Sequence, residues 1–445
     1  MNFERRLRSL LLTVVFNPLA IRWKRWLSEK RRQLSGRGHV VTVFLQLDDP
    51  YSYILSYYLP SLAANYDIDL RLKLSQARGD QYQPAPDMLA EYAATDCTRL
   101  ALELGIPFLD KSGLPPTEHR VGLSDAVAAL AESDIFEEEL RQALAVFWRG
   151  DSVAAAQISA ATDAPGAAKK IVAASQKLQQ RLGHYNSAML HYAGEWYWGV
   201  DRLHYLLSRL DALEVCTSDS PDPLLASVKQ AMQVSLPVKP PAAASNLPPI
   251  ELFHSPRSPY SYLALQRTYD IADAFGIELK LRPVLPMMMR GMKVPRLKLL
   301  YIAMDTQREA RRLAIPYGKL ADPLGAGTER FLAVFQYAES ERKGREFLLN
   351  AGVAIWAEAI DIATDAGMRK VTGRTGLFWP DVEKAMNGDA WRESVEANCE
   401  SMMSSGSWGV PTLRMGDLVL WGQDRDWLLV RHIEELCDSG DGILV

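Results

Sequence analysis

The sequence predicts an α/β fold that occurs twice along the 445-residue chain. One observation is a long internal repeat. The other is the pattern within each repeat, where an apolar run rich in β-formers precedes an amphipathic helical stretch and a second apolar run. Since a domain takes about 100–200 residues, the chain has room for two such domains.

The repeat holds one register across much of each half. Segments 49–53 (DPYSY) and 258–262 (SPYSY) match at an offset of 209 residues (261 − 52). At the same offset, segment 104–107 (LGIP) matches 313–316 (LAIP). Agreement over this length indicates a tandem duplication.

A third match gives the domain organisation. Segments 198–202 (WGVDR) and 421–425 (WGQDR) match at an offset of 223 residues (421 − 198), so the second copy has a net insertion of 14 (223 − 209). Between the copies, residues 218–248 are rich in Pro and Ala, a composition typical of semi-rigid linkers. We therefore predict domains at 40–217 and 249–445.

Each copy contains the same predicted elements. Strand-like runs open the copies at 40–47 and 68–74, and at 250–254 and 277–284. The second copy continues with helical patterns at 294–313 and 347–367, a hairpin of 412–415 and 417–421 about Gly416, and a helix at 424–437. A β-α-β unit, a helical insertion and a β-β-α unit form a thioredoxin-like arrangement.

Composition excludes several function classes. A net charge of −4 provides no general attraction for nucleic acid, and no local nucleic-acid-binding motif is present. The four cysteines lack any C-x-x-C or C-x-x-H pairing, which disfavours a metal site, a protein dithiol and a disulfide framework. We expect a cytoplasmic protein with no metal.

Residues 1–39 form a basic segment, which contains ten Lys and Arg residues but only two acidic residues, Glu4 and Glu29. Its apolar stretch, 10–21, is broken by Asn17-Pro18 and is too short to span a membrane. Two interpretations remain open. The segment is either a helical extension packed on the domains or an interfacial anchor that makes weak contact with a membrane surface through Trp23, Trp26 and Leu27.

Ser258 is the first candidate for chemistry. It follows a strand and precedes Pro259, so its structural interpretation is a helix N-cap. The second candidate is the turn 408–412 (WGVPT), where a proline precedes a strand and a cis peptide bond between Val410 and Pro411 is expected.

Four motifs occur in one order: SPYS at 258–261, K-x-x-Y-x-x-x-D at 298–305, GVPT at 409–412 and WGQDR at 421–425. In this order they resemble the kappa-class glutathione transferases and the 2-hydroxychromene-2-carboxylate isomerases. Those families belong to the DsbA-like branch of the thioredoxin superfamily. The resemblance covers residues 249–445 and implies two tandem DsbA-like domains, each with a helical insertion.

The resemblance also implies glutathione as the cofactor, with its thiol beside Ser258. It assigns the glycyl carboxylate to Lys298 and the cysteinyl backbone to Val410 and Pro411. It assigns the γ-glutamyl end to Asp424, together with Gln423 and Arg425. The implied function is a glutathione-dependent isomerase or transferase acting on a hydrophobic or aromatic electrophile. A DsbA-like oxidoreductase and a non-enzymatic glutathione-binding or scaffold protein remain alternatives.

Two features of the second copy depart from the pattern or stay open. Met292, in the Met-rich segment 287–292, stands where the families carry Asn, and these methionines are expected to line a core or a hydrophobic substrate wall. His254 is interpreted as structural, while its closeness in sequence to Ser258 leaves a role as a base open.

The first copy differs at each informative position. Asp49 stands in place of Ser258, Leu89 in place of Lys298, and 187–189 (SAM) in place of the GVP segment. Because a carboxylate opposes ionisation of a neighbouring thiol, we predict that this copy is non-catalytic and makes the chain a pseudo-dimer.

Overall fold

The computed structural model describes residues 18–76, 84–108, 117–160, 165–218 and 222–439. The chain forms two compact units. One spans Lys24–Gln233, and the other is built mainly from the residues after Gln233. Their boundary lies inside the predicted linker, 218–248.

The first unit consists of a four-stranded sheet and helices. Its helices and strands are α1 (Pro18–Leu34, whose first residues group with the second unit), β1 (Val40–Leu45), α2 (Pro50–Asn65), β2 (Asp69–Leu74), α3 (Pro86–Leu104), α4 (Thr117–Ala129), α5 (Phe136–Trp148), α6 (Ser152–Ala160), α7 (Ala167–Leu182), β3 (Met189–Tyr192), β4 (Glu195–Trp198), α8 (Leu203–Asp211) and α9 (Pro223–Ala231).

The second unit also contains a four-stranded sheet. Its helices and strands are β5 (Ile250–His254), α10 (Pro259–Phe275), β6 (Leu279–Pro283), α11 (Arg296–Arg312), α12 (Ala326–Ser340), α13 (Gly344–Trp356), α14 (Asp365–Thr375), α15 (Trp379–Met386), α16 (Trp391–Ser404), β7 (Thr412–Met415), β8 (Leu418–Trp421) and α17 (Asp426–Ser439).

The two sheets have the same strand order and the same strand directions. The orders are β2-β1-β3-β4 and β6-β5-β7-β8. In each, the first two strands of the unit are parallel, and the pairs β1/β3 and β5/β7, like the two hairpins, are antiparallel. The β-α-β and β-β-α parts predicted from the sequence are therefore present in both units.

The strand registers correct one sequence alignment by a single residue. Phe44 pairs with Met189 in the first sheet, and Phe253 pairs with Thr412 in the second. Phe44 and Phe253 are 209 positions apart (253 − 44), so Met189 occupies the position of Thr412. It is Ala188, and not Met189 as the sequence suggested, that occupies the position of Pro411.

Equivalent hydrogen bonds connect α2 with α3 in the first unit and α10 with α11 in the second. The Tyr51 hydroxyl donates to Asp96 in the first unit, and the Tyr260 hydroxyl donates to Asp305 in the second, each at 2.8 Å. The registers and these bonds together define equivalent positions in the two units, at an offset of 209 in the first helices and 223 in the final hairpin.

The predicted helix at 347–367 is confirmed only as far as Trp356. The chain instead forms α13 and α14, and Ala359 between them has a left-handed backbone with φ of 55°. A left-handed residue interrupts the helical hydrogen-bond ladder. The Thr364 side chain then accepts a hydrogen bond from the Gly367 N–H at 3.1 Å, so it caps a new helix.

The predicted linker contains a helix, α9. Asp222 begins it by accepting a hydrogen bond from the Leu225 N–H at 2.9 Å, and Pro223 occupies the first helical turn. Leu225 and Val228 are buried against the first unit's core. Burial of these apolar side chains orders this part of the segment. The linker prediction, which was based on the Pro and Ala content, did not take them into account. Pro221 of the predicted linker lies outside the described residues.

Part of the basic N-terminal segment is the helix α1. Arg25 forms an ion pair with Glu195 of β4 at 2.7 Å, which ties the helix to the first unit. Trp23 and Trp26 are exposed, whereas Leu27 is half-buried. The remainder of the segment, including Arg5, Arg6, Arg8 and the apolar residues 10–17, lies outside the described residues. No helix in the described ranges combines the length and apolarity needed to cross a bilayer.

Candidate functional site

Ser258 and the turn before β7 meet at the end of β5. Ser258 begins α10 as its N-cap, since its Oγ accepts a hydrogen bond from the Ser261 N–H at 3.1 Å. The same Oγ donates to the carbonyl oxygen of Val410 at 3.1 Å, across 152 residues of sequence. The peptide bond between Val410 and Pro411 is cis. Two motifs that are distant in sequence therefore share one site.

The turn before β7 is packed too tightly for a larger residue. A Cβ placed on Gly409 would collide with the indole ring of Trp421, which also contacts Trp408 with ring centroids 4.6 Å apart. The Thr412 hydroxyl donates to the Gly409 carbonyl at 2.8 Å. These contacts fix the backbone that carries Val410 beside Ser258.

The segment 421–425 is joined to the same turn. The Gly422 N–H donates to the Pro411 carbonyl at 3.0 Å. Asp424 is half-buried, and Arg425 is buried with its guanidinium 3.9 Å from the Asp424 carboxylate. The carboxylate of Asp424 thus lies in a loop that is connected directly to the proline turn.

The Gln423 side chain does not face solvent. Its Oε1 accepts a hydrogen bond from Arg267 at 2.9 Å, and its Nε2 donates to Glu309 at 2.9 Å. Both ends of the amide are therefore bonded within the domain, and sequence reasoning missed both partners. The only sequence signal for these two partners is that the first copy has apolar residues at the equivalent positions.

Lys298 lies on α11, which the hydrogen bond from Tyr260 to Asp305 connects to the start of α10. Asp305 is buried and also pairs with Arg308, so the last residue of the K-x-x-Y-x-x-x-D motif has an anchoring role. Lys298 is half-buried, and burial lowers the pKa of its ammonium group. A desolvated cation favours an anionic partner.

The predicted site residues fall into two groups by exposure. Half-buried residues can reach a ligand with their side chains: Ser258, Lys298, Val410 and Asp424. Buried residues act from within the domain: Pro411, Gln423 and Arg425.

His254 is buried at the end of β5. Within the described structure neither of its ring nitrogens has a hydrogen-bond partner, and burial lowers its pKa to about 3. The ring packs edge-on against Phe331 and Phe335, with centroids 6.0 Å away in each case. A neutral imidazole in an aromatic environment fits the structural interpretation of this residue.

The Met-rich segment forms a short 3-10 helix at Met287–Arg290. Met288 is exposed, and its sulfur lies 3.1 Å from the guanidinium of Arg257, while Met292 is half-buried. Nearby in sequence, Leu300 and Met304 of α11 are also exposed. Among the described residues, no cluster of three or more His, Cys, Asp or Glu side chains is arranged to bind a metal.

In the first unit, Asp49 takes the position of Ser258. It caps α2 by accepting hydrogen bonds from the Tyr51 N–H at 3.2 Å and the Ser52 hydroxyl at 2.7 Å. Burial raises the pKa of Asp49 to about 6, although hydrogen bonds from Ser52 and Ser187 oppose the shift. Ala188 replaces Pro411 and has a φ of 52°. The lysine position holds the half-buried Leu89.

Residues 249–434 match the family model of the DSBA-like thioredoxin domain. The 2-hydroxychromene-2-carboxylate isomerase of Pseudomonas putida is 26% identical over 191 residues, which cover 40% of this chain and 91% of that enzyme. The enzyme of the same name from Pseudomonas sp. (strain C18) is 24% identical over 180 residues, or 39% of this chain and 84% of the relative.

Two solved structures show more distant similarity. One is a 2-hydroxychromene-2-carboxylate isomerase with a TM-score of 0.38 and 24% identity, covering 43% of this chain and 96% of the other. The second is the cytosolic disulfide reductase DsbM of Pseudomonas aeruginosa with GSH, with a TM-score of 0.31 and 16% identity, covering 42% and 98%. The family match confirms the DsbA-like fold predicted for the second copy.

Proposed function

We propose that the second unit is a glutathione-dependent isomerase or transferase, which acts on a hydrophobic or aromatic electrophile through a bound glutathione thiolate. The observation that carries this proposal is the position of Ser258. Its hydroxyl stands at the N-terminus of a helix, 3.1 Å from the Val410 carbonyl in the proline turn. The relatives named isomerases support the reaction class.

The thiolate is stabilised by two features of this helix end. The positive end of the helix dipole favours an anion, and the Ser258 hydroxyl can turn from the Val410 carbonyl to donate to sulfur. Both lower the thiol pKa from its reference value of about 8.5, and each unit corresponds to about 1.4 kcal/mol. No protein dithiol takes part, because segment 258–261 holds no cysteine.

The two charged ends of glutathione have complementary partners. The half-buried ammonium of Lys298 pairs with the glycyl carboxylate, and Asp424 pairs with the γ-glutamyl ammonium. Val410 offers its backbone to the cysteinyl residue between them. The bonded chain from Ser258 through the proline turn to Gly422 supports this assignment, because it keeps the elements together.

The chemistry is nucleophilic catalysis by a borrowed thiol. The thiolate adds to a conjugated carbon of the substrate, which turns a double bond into a single bond that can rotate. In an isomerase, the electron pair returns, the double bond re-forms and the thiolate leaves unchanged. In a transferase, the carbon–sulfur bond remains and either a proton or the loss of a leaving group completes the product.

We propose further that the first unit is a diverged, non-catalytic thioredoxin-like copy that arose by tandem duplication. The identical strand order and the equivalent tyrosine–aspartate hydrogen bonds support a common origin. Asp49 supports the loss of function, since a carboxyl group at this helix end opposes a thiolate.

The experiment is a calorimetric titration of the full chain with reduced glutathione, followed by assays with conjugated aromatic electrophiles. We expect one binding site per chain, loss of binding in the Ser258→Asp variant, and no change in the matching Asp49→Ser variant. The absence of binding at millimolar glutathione, or two equal sites, would overturn the proposal.

A further inference from the structure

Four polar side chains form a continuous network behind the 421–425 loop, and we call them the polar cluster: Arg267, Glu309, Gln423 and Asp426. Gln423 is bonded to Arg267 through one end of its amide and to Glu309 through the other, each at 2.9 Å. Arg267 also donates to the backbone carbonyl of Gln423 at 3.2 Å and forms an ion pair with Asp426.

Three of the four residues in the polar cluster are buried, and its two carboxylates are paired with two cations, one of which lies outside the cluster. Glu309, Gln423 and Asp426 are 1%, 2% and 4% exposed, and Arg267 is half-buried. The second cation is Arg312, which pairs with Glu309 at 2.8 Å. Burying charged groups in this way carries a desolvation penalty, even when each charge has a partner.

The first unit shows that the fold does not need these polar groups. At the equivalent positions it has Tyr58, Leu100, Val200 and Leu203, which are 0%, 0%, 2% and 0% exposed. The same strand order is therefore built around an apolar cluster there. Since apolar side chains commonly replace a buried ion pair without loss of stability, packing alone does not account for the polar cluster.

The polar cluster holds the loop on both sides of Asp424. On one side it bonds the side chain and the carbonyl of Gln423, and on the other it bonds Asp426. Asp424 lies between these points with its side chain partly exposed. On the preceding side, Gly422 has a φ of 119°, and a Cβ there would lie 2.7 Å from the Asp424 carboxylate. These contacts restrain the loop backbone on both sides of Asp424, and this restraint sets the position of its carboxylate.

We propose that Arg267, Glu309, Gln423 and Asp426 are positioning residues that set the Asp424 carboxylate for the γ-glutamyl ammonium of glutathione. The inference rests on the proposed function, since it names how one end of that ligand is selected. In consequence, the polar cluster determines specificity for γ-glutamyl thiols over shorter thiols such as cysteinylglycine.

The test is a full-length variant that carries the first unit's residues at all four positions: R267Y, E309L, Q423V and D426L. Reduced glutathione and cysteinylglycine are titrated into the wild type and the variant by calorimetry. We expect glutathione affinity to fall roughly ten- to hundredfold, because a displaced binding group loses its geometry. Cysteinylglycine affinity stays the same, and so does the midpoint of thermal unfolding. Unchanged glutathione affinity, or equal loss for both ligands, would overturn the inference.

A matched control changes a different ion cluster of the same unit. Glu251 on β5 pairs with Arg282 at 2.7 Å and with Arg414 at 2.5 Å, away from the end of the strand that leads to Ser258. The first unit has Thr42 at this position, so the control is Glu251→Thr. We expect it to bind both thiols like the wild type. A parallel loss of glutathione affinity in this control would show a general structural effect and contradict the inference.

A double-mutant cycle with Asp424→Asn tests whether the polar cluster acts through that carboxylate. If it does, adding Gln423→Val to Asp424→Asn causes little further loss of glutathione affinity, whereas two independent roles would add. The single Q423V variant also serves if the fourfold variant does not fold. Additive losses would overturn the inference. Failure of the wild type to bind glutathione would instead remove the proposed function itself.

Discussion

The hydroxyl oxygen of Ser258 and the carbonyl oxygen of Val410 lie 3.1 Å apart, although 152 positions separate the residues in sequence. The same hydroxyl accepts from the Ser261 N–H, so it already uses one donor and one acceptor function. A thiolate bound here therefore competes with Val410 for the single hydroxyl proton. The serine that caps the helix is also the group that can respond to a ligand.

Ser258→Ala removes both hydrogen bonds. We expect it to lower the free energy of unfolding by about 0.5–2 kcal/mol, the usual cost of losing an N-cap. Turnover of an electrophilic substrate should fall roughly ten- to a thousandfold, because one donor to a developing charge is lost. Denaturant unfolding and steady-state kinetics measure the two effects.

Thr364→Ala is the control for the cap alone. Thr364 accepts a hydrogen bond from the Gly367 N–H at 3.1 Å, in the same geometry as Ser258, but caps α14. This variant should lose similar stability and keep its turnover. If both variants lose the same activity, Ser258 contributes only as a cap.

The first unit has leucine, Leu89, at the position equivalent to Lys298 of α11. The matched variant is therefore Lys298→Leu. We expect weaker binding of glutathione, because the glycyl carboxylate loses its cation, and unchanged binding of γ-glutamylcysteine, which has no glycine. Lys298→Arg keeps the charge and is the control. Equal weakening of both thiols in the leucine variant would place Lys298 elsewhere in the site.

The sequence predicted the elements that depend on local pattern and on the repeat. Strand β5 begins and ends at the predicted residues, 250–254, because an apolar run with β-formers ends sharply at Ser255-Pro256. The break between α13 and α14 was missed, since the left-handed conformation of Ala359 follows from tertiary contacts and leaves no signal in residue type.

The candidate site was predicted in its motifs but not in its supporting contacts. Ser258 and the proline turn were singled out by their local pattern and assigned to one site by resemblance to known families, and the geometry brings them together. Arg267 and Glu309 carry helical periodicity like any other polar helix residues, so their burial was not evident. What identifies them is that the residues at the same repeat offset of 209 in the first unit, Tyr58 and Leu100, are fully buried, and this burial is evident only from the structure.

Asp49 should give the first unit an unusual pH dependence. Its pKa in the folded chain is about 6, against about 3.9 for an unperturbed aspartate, so the folded state binds more protons between these values. Stability therefore falls as pH rises from about 4 to 6. Asp49→Asn keeps an N-cap and removes the titration. Thermal unfolding of the full chain over this range should show a flatter pH dependence in the variant. An identical profile would mean that Asp49 titrates normally.

His254 should give the second unit a dependence of the opposite sign. Its pKa in the folded chain is about 3, against about 6.5 when unfolded, so the unfolded state binds more protons between these values. Stability is therefore complete above about pH 6.5 and is lost as pH falls towards 3. The equivalent residue of the first unit is the fully buried Leu45, which makes His254→Leu the matched variant.

In His254→Leu, we expect the midpoint of thermal unfolding to rise at every pH, because two buried ring nitrogens without partners in the described structure are removed. The rise should be larger at pH 5 than at pH 8, since protonation of the unfolded wild type adds to the difference at low pH. Turnover should stay at the wild-type level when both proteins are folded, because the ring packs against Phe331 and Phe335 and holds no reacting group. A large fall in turnover with unchanged glutathione affinity would instead make His254 the base of the reaction, the role that its place four residues before Ser258 left open.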